Sequence, residues 1–153
     1  QGVDAIYTRE PGGSREAEIL RSIILSGDLE WSAREEALLF AAARAHHVRT
    51  KIIPHLAKGG WVICDRFVDS TLAYQALAGD LERADLLRMH DFATEGLMPD
   101  ITLMITISGE ERRVRAVARN EGLDRMEAKG EAFQQQVQAG FELLASTYPD
   151  RIK

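Results

Sequence analysis

The sequence predicts an α/β fold built on a parallel sheet, and three observations predict it. Short apolar, β-branched runs recur along the chain. Longer stretches of helical periodicity separate them, and glycine and proline mark the boundaries. Strands separated by helices pair in parallel, because each helix carries the chain back to the edge from which the next strand starts.

The first strand is expected over residues 3–7, running straight into Thr8-Arg9-Glu10-Pro11-Gly12-Gly13. A helix is expected to follow Ser14. Ser32 and Glu35 have the spacing of a capping box in front of Ala37, Leu38, Leu39 and Phe40, so a helix should begin there. It should run to about residue 53, where Pro54 kinks or interrupts it. Gly59 and Gly60 then turn the chain into a second strand over 61–64. Asp80 is placed to cap a helix through Leu86, Leu87 and Met89 that stops near Gly96, before Pro99. Residues 101–107 are almost continuously apolar, as a strand covered on both faces would be. Phe133, Val137, Phe141 and Leu144 mark one face of a last helix that ends by Pro149.

Composition narrows the function. At 153 residues the chain is long enough for one core, and a net charge of −5 gives it no electrostatic footprint for a nucleic-acid backbone. A phosphate-bearing ligand must therefore be held by local arginines. A single cysteine, Cys64, excludes an internal disulfide and suits a reducing cytoplasm. No apolar run approaches the roughly 20 residues of a membrane span.

Open α/β sheets bind ligands beyond the carboxyl ends of their strands. Asp65-Arg66 lies at such an end: Arg supplies a planar donor fork for phosphate, Asp a hard oxygen for Mg²⁺. The same pair could be a surface ion pair in a loop. Arg9 to Gly13 could cradle an anion with backbone N–H groups, or be only a tight turn. Phe40 and Arg44 share a helix face, where a ring beside a guanidinium can stack on a base and bond its carbonyl edge. The plain alternative is a core phenylalanine and a solvated arginine. His46 and His47 are neighbours in a helix and so point to different faces, which argues against a shared metal. Arg112, Arg113, Arg115, Arg119 and Arg125 crowd around Gly122, as a lid over phosphates or as a solvated helix face.

The order of these pieces is more specific than any one of them. Thr8-Arg9-Glu10-Pro11-Gly12-Gly13, then Ala37-Leu38-Leu39-Phe40-Ala41-Ala42-Ala43-Arg44-Ala45-His46, then Asp65-Arg66-Phe67-Val68-Asp69-Ser70-Thr71-Leu72-Ala73-Tyr74-Gln75, then Asp124-Arg125-Met126-Glu127 resembles bacterial thymidylate kinases along nearly the whole chain. The resemblance implies a P-loop NTPase-like parallel sheet flanked by helices in three layers. It implies one nucleoside monophosphate kinase-like domain over 1–153, with a lid at about 112–130. The implied reaction is transfer of the ATP γ-phosphoryl group to dTMP, giving dTDP, with Mg²⁺, in a cytoplasmic homodimer. Arg9 and Arg66 match phosphate contacts of dTMP, and Phe40 and Arg44 match the residues that stack on thymine and bond its carbonyl. Thr71 and Gln75 match positions near the base, Tyr74 one near the sugar. Asp65 matches the acidic residue near Mg²⁺, reached directly or through water, and the arginine-rich stretch matches the lid, from which Arg119 or a neighbour would neutralise the transferring group.

Three departures stand out. Phe67 replaces the usual Tyr and Ser14 the usual Thr. The family's Gly-rich loop G-x-x-x-x-G-K-[ST], which cradles ATP, has no match in the sequence. The chain is accordingly expected to be an incomplete part of a longer protein. The other readings are a truncated, non-catalytic relative that binds nucleotide, or a different nucleoside monophosphate kinase.

Overall fold

The computed structural model describes residues 2–118 and 124–153, apart from the side chains of 112, 113 and 116–118. β1 (Ala5–Arg9) and β2 (Trp61–Asp65) pair in parallel, Ala5 opposite Trp61 through Arg9 opposite Asp65. Helices α1 (Arg15–Leu25) and α2 (Ala33–His47) make the crossover between them. The α/β class and the parallel pairing are those the sequence predicts. β1 begins two residues later than expected and extends into Thr8 and Arg9, which therefore point to opposite sides of the sheet.

The capping box forms as its spacing predicts. Ser32 Oγ accepts from the Glu35 N–H at 3.3 Å, and the Ser32 N–H donates to Glu35 Oε2 at 2.7 Å. Near Pro54 the chain stays helical: π-type turns over Val48–Ile52 lead into α3 (Ile53–Leu56). Proline has no N–H to give, and the turns before it absorb the missing bond by widening. After β2, α4 (Val68–Thr71) continues into π-type turns over Leu72–Leu77. Asp80 does not cap the next helix. It sits at φ +61°, and α5 (Arg83–Thr94) starts after Glu82 and ends at left-handed Glu95 and Gly96.

Residues 101–107 form no full strand. Thr102 bridges Ile152 in parallel, with Thr102 N–H to Arg151 O at 2.9 Å and Met104 N–H to Lys153 O at 2.8 Å. Among the described residues nothing else pairs with the segment. Its faces are not both covered: Leu103 is 73% exposed and Ile105 88%. α6 (Gly109–Ala118) follows, and α7 (Glu131–Thr147) closes the chain on the face predicted for it. Val137 and Leu144 join Ala37, Val68, Leu72, Ala73, Leu86 and Ile152 in the core, with Phe133 and Phe141 packed against it. Among the described residues no helix is long and apolar enough to cross a membrane.

Candidate functional site

A cleft of about 780 Å³ opens where β1 and β2 end. Phe40, Arg44, Asp65, Arg66, Thr71, Tyr74 and Gln75 all line it. Two stretches distant in sequence, 40–44 and 65–75, thus bring seven of the predicted site residues to one cavity.

The wall of this cleft is organised by Glu10. Its side chain is 4% exposed and both its oxygens are taken. Oε2 accepts from Arg44 Nε at 2.6 Å, and Oε1 faces His47 Nδ1 at 3.1 Å. Thr8 Oγ1 lies 2.7 Å from His47 Nε2, and Arg44 Nη2 donates to Thr71 Oγ1 at 2.9 Å. A carboxylate only accepts, so His47 Nδ1 carries a proton and donates to Glu10, and Nε2 pairs with the Thr8 hydroxyl, which can accept or donate. The chain Thr8–His47–Glu10–Arg44–Thr71 links β1, α2 and α4. Gly13, at φ +82°, lies on top of it; a Cβ there would overlap both His47 Nε2 and Thr8 Oγ1. Arg44 is therefore not the solvated arginine of the plain reading. It is 4% exposed and oriented by a fixed carboxylate.

Arg9 is not on this wall. Strand alternation sends Thr8 and Glu10 inward and Arg9 to the other face. There its Nη2 lies 3.1 Å from Glu18 Oε2, beside Asp65 in a shallower depression. Glu18 Oε1 also accepts from the Gly13 N–H at 2.8 Å. That backbone hydrogen bond, followed by Arg9, holds the Glu18 carboxyl below its ordinary range.

Arg66 occupies the left-handed region at φ +66°, an uncommon conformation for a non-glycine residue and one that clusters at functional sites. Its guanidinium lies over the Tyr74 ring, 5.4 Å from the centroid. Tyr74 in turn meets Phe133 and Phe141 edge-on. Phe67 packs under Arg44 at 5.2 Å and against His90 at 5.5 Å. His90 is buried, with Nε2 2.9 Å from Leu97 O. Its Nδ1 has no partner among the described residues. Burial first, then the nearby Arg44 charge, pushes the imidazole below its ordinary range.

Asp65 accepts the Glu10 N–H through its backbone carbonyl at 2.9 Å, while its exposed carboxylate has no side-chain partner among the described residues. One free, hard carboxylate at the edge of the cleft fits Mg²⁺, which binds one or two carboxylates and fills its other positions with water and phosphate. Glu10, His47 and Cys64 also lie at ligand-like spacing. They are poor ligands: the Glu10 oxygens are occupied, and burial and the Glu10 charge push the Cys64 thiol up to about 12, away from the thiolate a metal needs. His46 is engaged separately, with Ser14 Oγ at 2.9 Å and Glu16 at 3.3 Å.

Of the arginine-rich segment, Arg119 lies outside the described residues, as do the side chains of Arg112 and Arg113. Arg115 is exposed on α6. Arg125 turns inward, donating to Glu36 and, at 3.0 Å, to Ile24 O. Three carboxylates that sequence reasoning passed over prove central: Glu10, Glu36 and Asp69. Asp69 takes a two-pronged bond from Arg151 at 2.6 and 2.7 Å, with Thr102 donating at 2.9 Å. The sequence signal available for each was an acidic residue inside an otherwise apolar helical or strand-end pattern.

Comparison with known proteins gives concordant matches. The thymidylate kinase family model matches residues 1–153. A thymidylate kinase of Rhizorhabdus wittichii is 43% identical over 155 residues, spanning 100% of this chain and 74% of that protein. A thymidylate kinase of Jannaschia sp. is 45% identical over 152 residues, spanning 99% and 73%. The crystal structure of thymidylate kinase from Ehrlichia chaffeensis superposes with a TM-score of 0.77 at 29% identity, covering 98% of this chain and 69% of that one.

Two outcomes follow from the geometry. Glu10→Ala leaves the Arg44 charge buried without its partner and should cost about 3–5 kcal/mol in urea unfolding. Arg44 outlasting that change with unaltered stability would show the pair to be incidental. For His90, a folded pKa below the ordinary 6.5 means full stability above that pH and a loss as pH falls through it. His90→Gln should flatten the stability profile between neutral and mildly acidic pH, read from thermal melts across that range.

Proposed function

The chain belongs to the thymidylate kinase family, and from that premise we propose that it transfers the γ-phosphoryl group of ATP to dTMP in the cleft at the ends of β1 and β2. The observation that carries the site is Arg44, buried at the cleft wall and aimed by Glu10 and Thr71. Its Nε–H and one Nη2–H are committed, which leaves the remaining guanidinium N–H groups as donors available to a base carbonyl. Phe40 lines the same cleft and offers a ring face to thymine. Arg66 holds the dTMP phosphate with its planar fork, its guanidinium steadied over the Tyr74 ring. Arg9 would reach that phosphate past Asp65 after releasing Glu18.

Phosphoryl transfer needs positioning and charge stabilisation more than covalent chemistry from the protein. Asp65 is the residue to hold Mg²⁺, directly or through water; when bound, the ion offsets charge on the transferring phosphoryl oxygens. Arg119 is assigned the matching task from the lid, residues 112–130 of a single nucleoside monophosphate kinase-like domain. A cytoplasmic homodimer completes the reading.

Turnover is tested by a coupled assay for ADP release on the full-length gene product. ADP release dependent on dTMP is expected, with dCMP and dAMP poor substrates. Equal rates with dCMP would defeat the thymine assignment, and dTMP binding without turnover would defeat the catalytic one. Arg66→Ala should weaken dTMP binding and turnover by roughly 1.5–3 kcal/mol, the worth of a charge-assisted hydrogen bond. Unchanged kinetics would move the phosphate site elsewhere.

A further inference from the structure

Behind the cleft wall lies a second buried carboxylate, Glu36 of α2, 1% exposed and outside the cleft lining. It gathers partners from two other parts of the chain. Gln75 Nε2 donates to Oε1 at 2.7 Å, and Lys129 Nζ lies 3.0 Å from Oε2 and 3.3 Å from Oε1. Arg125 Nη2 donates to Oε2 as well. A lone carboxylate at this depth would be costly, and the two cations offset its charge. So paired, Glu36 presents lone pairs and no donor to Gln75.

That has a consequence for the amide. The two ends of a Gln side chain are alike in size and opposite in polarity. Turning the Gln75 carbonyl toward Glu36 would set oxygen against carboxylate oxygen, so the NH₂ end must face it. The carbonyl oxygen is left over; it takes no hydrogen bond from the described residues, and Gln75 lines the cleft. Arg44, bonded to Thr71 one helical turn before Gln75, lines the same cleft with a free N–H. The cleft thus offers both a donor and an acceptor. Thymine presents the complement, the O4 acceptor next to the N3–H donor. Cytosine presents the reverse, an amino donor next to an N3 acceptor.

We propose that Glu36 is a specificity-determining positioning residue: by accepting the Gln75 amide N–H it turns the Gln75 carbonyl oxygen into the cleft and selects thymine over cytosine. The inference rests on the preceding reading that the base of dTMP lies beside Gln75 and Arg44.

The test is calorimetric binding of dTMP and dCMP, which needs no turnover. In Glu36→Gln the amide that replaces the carboxylate can donate as well as accept, so Gln75 is free to flip. The preference for dTMP over dCMP should fall about tenfold, equivalent to ~1.4 kcal/mol, chiefly through weaker dTMP binding. Lys129→Met keeps Glu36 as an acceptor and should retain the wild-type preference even if it melts earlier. Equal weakening of both nucleotides by Glu36→Gln, or the same loss of preference in Lys129→Met, overturns the proposal. Gln75→Met separates the two readings. If it changes the preference while Glu36→Gln does not, only the role of Glu36 falls; if it changes nothing, the base does not lie there and both readings fall. Should Glu36→Gln fail to fold, Glu36→Asp keeps the charge but withdraws the acceptor, and the same loss of preference is expected.

Discussion

The buried pair between Glu10 and Arg44 is the constraint on which the cleft depends. Two opposite charges held out of water are stabilising only when every remaining lone pair and proton is also satisfied. Here the second Glu10 oxygen goes to His47, the far side of His47 to Thr8, and a remaining guanidinium nitrogen to Thr71. Because each partner comes from a different element, satisfying the pair also fixes where β1, α2 and α4 meet. The loop that crosses above must be glycine at residue 13, since any side chain there would displace the Thr8–His47 contact.

Parts of the fold were legible in the sequence, for identifiable reasons. The capping box at Ser32 and the apolar face of α7 depend on spacing alone, and spacing survives into three dimensions. Residues 101–107 misled because a continuous apolar run states what could be buried, not what is available to bury it. Asp80 has the right chemistry for a cap but the wrong backbone, lying in the left-handed region. The cleft-lining residues that the sequence singled out were those with a direct ligand chemistry: a ring, a fork, a carboxylate at a strand end. Glu10, Glu36 and Asp69 act on other side chains, and nothing in the sequence gives the pairings of Glu10 with Arg44, Glu36 with Gln75 or Asp69 with Arg151.

Arg9 illustrates the same limit from the other direction. In sequence it is the neighbour of Glu10 and matches a phosphate contact equally well. In a strand, neighbours face apart, so the two residues serve different surfaces. Asp65, paired in register with Arg9, lies at the boundary and borders both the cleft and the shallower depression. The parallel register thus decides which charges border the cleft and which border the shallower depression.

Charge bookkeeping leads to the same division of labour. A chain of net charge −5 does not attract a phosphate by its overall field, which is in any case screened over about 10 Å at ordinary ionic strength. Arg44 cannot supply the attraction either, because Glu10 already neutralises it; what remains is direction, a donor held still against a neutral base edge. Arg66 is different: it is exposed, has no carboxylate partner among the described residues, and retains its full charge for an anion. On the proposed reading, two arginines of the same cleft are set to opposite tasks, one to read hydrogen-bonding polarity and one to bind charge. What distinguishes them is not the residue but the acid behind it. A neutralised arginine can discriminate between bases without holding every anion that enters, and an unpaired one can hold phosphate without regard to the base.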